Sequence, residues 1–177
     1  SIDCGYYANY TGIEPADVAK SCGSSQSMVQ ASIPMGPTDI GYAQDIGYVS
    51  DNFVSFTLDD FTGQTIIGTN TDAYYGMDFD QSGTVLYALN DTTDQLGTIN
   101  LTTGAFTALV ACPPGGGADN WTGLSIDPTT NEFYGSTATD LYTIDPSTGV
   151  STLVGNFGTT LMIEIAINMD GEMYGHD

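Results

Sequence analysis

The chain has 177 residues, enough for one domain with its own core, and its 41 % apolar and 11 % aromatic content is that of a globular protein. Twenty-two acidic residues stand against one Lys and no Arg, a formal charge of −21 that leaves no basic footprint for nucleic-acid phosphate or an anionic membrane surface. No apolar run approaches the ~18 residues of a spanning helix, so no membrane insertion is expected.

Residues 1–38 form a leader without repeats. Pro15 in the first turn, acids at Glu14 and Asp17, Lys20 near the end and Gly23 as a stop predict a short helix over 14–20. Cys4 and Cys22 lie in this leader and are the expected disulfide. Cys112 is then left over, as a free buried thiol or a bond to another chain. Tyr6, Tyr7 and Tyr10 make an aromatic cluster with little core to cover it, which marks a contact surface. The chain opens at Ser1 rather than Met, the form of a secreted protein after signal-peptide removal. Asn9, Asn90, Asn100 and Asn120 head Asn-x-Thr acceptors for N-linked glycans, the last three in predicted turns.

From residue 39 the sequence repeats. Thr57–Gly63, Thr98–Gly104 and Thr143–Gly149 share one plan: a strand end, an Asp or Asn that accepts backbone amides, and a Gly whose positive φ closes the turn. A second hairpin keeps step with the first. Met77–Asp80 leads to Val85–Tyr87, Leu124–Asp127 to Phe133–Gly135, and Ile165–Asn168 to Met173–Gly175, each with a Tyr at one place in the second strand. The turn glycines at 63, 104 and 149 are 41 and 45 residues apart, and Phe79, Ile126 and Ile167 are 47 and 41 apart. Two hairpins per ~40 to 50 residues predict an all-β fold of four-stranded, propeller-type blades.

The expected blades run over 39–73, 74–120, 121–162 and, as two strands only, 163–177. In the first, Ile40–Ala43 and Ile46–Val49 stand for the inner hairpin and Phe53–Leu58 with Gln64–Ile67 for the outer one. Three completions of the last blade present themselves: strands from the leader, strands from another chain, or more of the same protein beyond residue 177. The unpaired edge at Tyr174 is where another chain would add.

At Leu141–Gly149 and Leu124–Pro128 the sequence resembles secreted β-propellers of the YVTN group with D-P-x-T-G repeats. The resemblance covers residues 40 to 177 and rests on turn chemistry. It implies the fold; the group contains cell-surface, binding and a few enzymatic members, and no catalytic residue set carries over.

The chemistry-bearing residues are few. His176 is the single His, and no paired Cys with zinc spacing or Gly-rich phosphate loop is present. Asp78 and Asp80 alternate on one face of a strand, and Asp59–Asp60 and Asp91–Asp94 cluster in turns, sets that suit Ca²⁺ or simply cap those turns. The preferred function is a secreted, non-enzymatic structural repeat protein that assembles with copies of itself into an extracellular layer or fibre. A carbohydrate- or ligand-binding propeller is the alternative, and an extracellular hydrolase or lyase the third reading.

Overall fold

In the computed structural model, residues 39–46, 51–70, 72–115 and 120–177 are described. The leader helix, the Cys4–Cys22 pairing, Asn9 and the three leader tyrosines lie outside those residues. All described elements are strands: β1 Ile40–Ile46, β2 Asp51–Thr57, β3 Asp60–Asn70, β4 Tyr74–Phe79, β5 Leu86–Asn90, β6 Gln95–Ile99, β7 Phe106–Ala111, β8 Trp121–Ile126, β9 Phe133–Thr137, β10 Asp140–Ile144, β11 Ser151–Asn156, β12 Glu164–Ile167 and β13 Met173–His176. They form four antiparallel sheets in chain order, β1-β2-β3, β4-β5-β6-β7, β8-β9-β10-β11 and β12-β13. These are sheets 1 to 4.

The two hairpin types of the sequence recur with one register. Asp78 pairs with Tyr87, Ser125 with Tyr134 and Ala166 with Tyr174, so the repeated Tyr always stands opposite the same inner-strand position. The turns between third and fourth strands close as expected in sheets 2 and 3, with Gly104 at φ 70° and Gly149 at φ 73°. Asn100 Oδ1 accepts from the Thr102 and Thr103 amides at 2.9 and 3.0 Å, and Asp145 Oδ1 accepts from the Ser147 amide at 2.9 Å.

Sheet 1 departs from the expectation twice. Ile40–Ile46 is one continuous strand paired antiparallel with β2, where Ile40–Ala43 and Ile46–Val49 are expected to pair with each other. The β2–β3 connection turns at Leu58–Asp59, with Thr57 opposite Asp60, so Gly63 lies inside β3 with no positive φ. The irregular register between Ser55 and Thr57 absorbs the difference.

The core lies between sheets, as face-to-face packing of twisted blades requires. Phe53, Tyr74, Leu86, Ala88 and Ile99 fill one seam; Leu89, Leu96, Cys112, Trp121, Leu124, Phe133 and Ile144 are among those filling the next. Aromatic pairs bridge both. Tyr42 stacks on Phe53 with centroids 5.7 Å apart, and Tyr87 meets Phe133 edge-on at 4.9 Å.

The seams repeat in detail. A Cβ on Gly68 of β3 would lie 2.2 Å from the Thr103 carbonyl oxygen, and one on Gly149 would lie 1.9 Å from that of Ala111. Each Gly-bearing turn therefore sits tightly on the outermost strand of the preceding sheet. Gly155 on β11 is in the same part of sheet 3, and a Cβ there meets nothing within 4 Å among the described residues.

Candidate functional site

The inner strands β4, β8 and β12 lie side by side, and their polar side chains are aimed at each other's backbone. Asp78 Oδ2 accepts from the Ile126 amide at 2.8 Å and from Ser125 Oγ at 3.0 Å, while its Oδ1 accepts from the Phe79 amide at 2.8 Å. Ser125, at the next repeat's equivalent position, does the same one blade on: its Oγ accepts from the Ile167 amide at 3.0 Å. The series ends at Ala166, which has no oxygen to offer. Burial pushes the Asp78 carboxyl above its usual range, against the opposing pull of these three donors.

Glu164 completes the cluster from the other side of β8. Its Oε1 accepts from the Ile165 amide at 3.0 Å. A Cβ on Gly123 would lie 2.5 Å from Glu164 Oε1 and 2.7 Å from Ser136 Oγ, so the carboxyl fits only because Gly123 has no side chain. Burial, with the Asp78 charge as a further cause, raises Glu164 to about 7. Two carboxyls thus flank one strand, both disfavoured as anions.

Glu164 was not among the candidates read from the sequence. The signal was present, since in the aligned inner strands Glu164 falls in the column that holds Gly76 and Gly123. A Cβ on Gly76 would lie 2.3 Å from the Leu124 amide nitrogen, so that column is a line of contact between blades.

The other candidates are placed separately. Asp80 caps its own turn, accepting from the Thr84 and Val85 amides at 3.1 and 2.9 Å and from Ser82 Oγ at 2.7 Å, and these bonds hold its carboxyl low. Asp78 and Asp80 share no donor, and Asp80 lies past the end of β4. Among the described residues no group of three or more His, Cys, Asp or Glu side chains is arranged to hold a metal ion. Asp91 is raised by burial and by Asp94, and its Oδ1 is buried without a hydrogen-bond partner.

Asn90 does not project from a turn. It is 1 % exposed at the end of β5, its Nδ2 donating to Asp72 Oδ2 at 2.9 Å and its Oδ1 accepting from the Thr92 and Thr93 amides, so the folded chain has no room for a glycan there. Asn100 and Asn120 are exposed. Cys112 is a free thiol, 0 % exposed, pushed up to about 12 by burial and the Asp94 charge, while its carbonyl accepts from Trp121 Nε1 at 2.7 Å. Tyr174 is 47 % exposed on β13, and its OH donates to Glu172 Oε2 at 3.0 Å.

Two shallow grooves of about 450 and 390 Å³ lie over the third and fourth strands of sheets 3 and 2, one lined by Thr143, Asp145 and Thr152, the other by Thr98, Asn100 and Thr107. They occupy the same place in consecutive repeats, which makes them products of the repeated turn rather than one specialised site.

Sheets that pack face to face in sequence order, with inner strands adjacent, match solved propellers. The fold is that of a β-propeller. The chain is similar to a component of a nidogen/laminin complex, at TM-score 0.58 and 14 % identity over 78 % of this chain and 52 % of that one. It is similar to a Bacteroides thetaiotaomicron protein of unknown function, at TM-score 0.60 and 16 % identity over 77 % and 39 %. A Xanthomonas campestris gluconolactonase matches at TM-score 0.53 and 14 % identity over 75 % and 43 %. This chain therefore spans about half, or less, of the length of the propellers it matches. No protein-family profile and no curated protein matches its sequence. Among the described residues no helix is long and apolar enough to cross a membrane.

Proposed function

We propose that the protein is a secreted, non-enzymatic propeller scaffold that assembles with copies of itself into an extracellular layer or fibre, using sheet 4 and the outer face of sheet 3 as the contact. The observation that supports this most is the open third seam. Gly68 receives the Gly104 turn and the Ala111 carbonyl receives the Gly149 turn, whereas a Cβ on Gly155 meets nothing within 4 Å among the described residues. Sheet 4 has two strands where sheets 2 and 3 have four, which leaves the outer edge of β13 without a partner strand among the described residues. Around this region Leu153, Val154, Leu161, Ile163 and Met169 are all exposed, Met169 by 74 %. Exposed apolar surface beside an unpaired strand edge is a template for another chain. One similar structure is a component of a nidogen/laminin complex, a protein assembly, which fits the same use of the fold.

The test is electron microscopy and crosslinking of undenatured protein, wild type beside Gly155→Gln. A Cβ at 155 meets no atom within 4 Å among the described residues, so Gly155→Gln is expected to leave the fold intact. Regular polymers of the wild type that are lost in Gly155→Gln support the proposal. A wild type that gives only isolated particles at high concentration overturns it.

A further inference from the structure

Ile165 on β12 and Met162 just ahead of it turn into the interior, at 3 and 8 % exposure, and the neighbour of β12 across the seam is the main chain of β8. That seam is small and apolar apart from one ionisable side chain at its start. Glu164 is wedged over Gly123, beside Ser136 Oγ, where no donor but backbone amides reaches its carboxyl. We propose that a neutral Glu164 locks sheet 4 onto sheet 3 and that its ionisation releases the β12–β13 hairpin, making this hairpin a pH-dependent element of the fold. The proposal stands whether or not the protein self-assembles.

The surroundings decide the sign. β8 carries no ionisable side chain between Trp121 and Ile126. β4 supplies Asp78, an acid, on the far side of β8; β9 supplies Tyr134, whose OH donates to Glu132 Oε2; β13 supplies Tyr174, and His176 directly opposite Glu164 in the register, with Asp177 just beyond. His176 is exposed and is the one side chain able to carry positive charge among the described residues. An ionised Glu164 is therefore half-buried beside a like charge, with no buried cation to offset it among the described residues. With its value raised from 4.5 to about 7, the docked hairpin holds a proton that the released hairpin gives up. Docking is then fully favoured below about 4.5 and weakens as the pH rises through 7, because the docked state binds more protons across that window.

Amide hydrogen exchange on the whole chain between pH 5 and pH 8.5, corrected for the intrinsic rate, reads this directly. The Met162 amide donates to the Ala138 carbonyl at 2.7 Å and the Ile167 amide to Ser125 Oγ at 3.0 Å, both from the sheet 4 segment across to sheet 3, so both report docking. Their protection is expected to fall by about tenfold or more from pH 5.5 to pH 8, because release gives up one proton and the docking equilibrium then follows the proton concentration between the two values. The β6 amides are expected to stay constant. Glu164→Gln is expected to keep high protection with a flat profile, and His176→Gln to leave the wild-type profile in place. A flat wild-type profile, an unchanged profile in Glu164→Gln, or a profile that disappears with His176 overturns the proposal. If Glu164→Gln does not fold, the carboxyl carbon of Glu164 titrated by NMR in the wild type replaces it. A midpoint near 7 supports the lock and one near 4.5 overturns it.

Discussion

Asp145 and Asn100 do one job with two chemistries, and the pair shows how much of this fold is held by single side chains. Each takes the amides just ahead of it and so fixes the turn that its sheet presents to the preceding one. Asp145 also accepts from Ser147 Oγ and Thr148 Oγ1, which together with the Ser147 amide lower its carboxyl to about 2. Replacing Asp145 by Ala is expected to lower the melting temperature by about 3 °C at pH 7, whereas Asn is expected to cost much less because Asn100 already works one repeat earlier. Differential scanning calorimetry on the two variants checks this. Since the Asp145 carboxyl is lowered, its contribution is present above about 4 and is lost as the pH falls toward 2, opposite in sign to Glu164. These turn roles were legible, because Asp or Asn four or five residues before Gly has few other uses. The fate of Asn90 was not. Its sequon reads the same whether the side chain points out or, as here, inward to Asp72. Cys112 completes the scale: a thiol raised to about 12 and fully buried is expected to resist iodoacetamide at pH 8 until the protein is unfolded, which a native-versus-denatured labelling time course measures.

At the level of strands, the inner hairpins were readable and the seams were not. Alternating apolar residues around Asp-x-x-Gly, Asp-Pro-Thr-Thr or Asn-x-x-Gly turns mark β4–β5, β8–β9 and β12–β13, and the common register of Tyr87, Tyr134 and Tyr174 follows from the shared spacing. Sheet 1 escaped because a two-residue turn and an irregular register can replace a five-residue turn without changing composition, so Gly63 looks like Gly104 and lies in a strand. Glu164 escaped for a different reason: a lone Glu reads as solvent-facing unless the repeats are aligned and its column is seen to hold glycines. The tightness of the seams yields a paired expectation. Gly68→Ala puts a methyl 2.2 Å from the Thr103 oxygen and is expected to destabilise by roughly 1 to 3 kcal/mol. Gly155→Ala meets no described residue and is expected to be neutral or slightly stabilising. Urea unfolding of both variants tests whether the first seam is closed and the third open as described.

The whole molecule sets two forces against each other. Exposed apolar side chains and the open edge of β13 favour association, while a formal charge of −21 makes copies repel. The charge acts over about 10 Å at 0.1 M salt and about 3 Å at 1 M, so salt removes the repulsion and spares the apolar contact. Neither the acidity nor the fold names a partner on its own; the repeated seam, filled twice and left open once among the described residues, is what turns them into a specific expectation. The most direct measurement is sedimentation velocity of the wild-type chain over a hundredfold range of concentration at 0.05 M and 1 M NaCl. Species larger than one chain that grow with concentration, strengthen at high salt and vanish in Gly155→Gln are the predicted result. A single-chain sedimentation coefficient at every concentration and both salts would contradict the account.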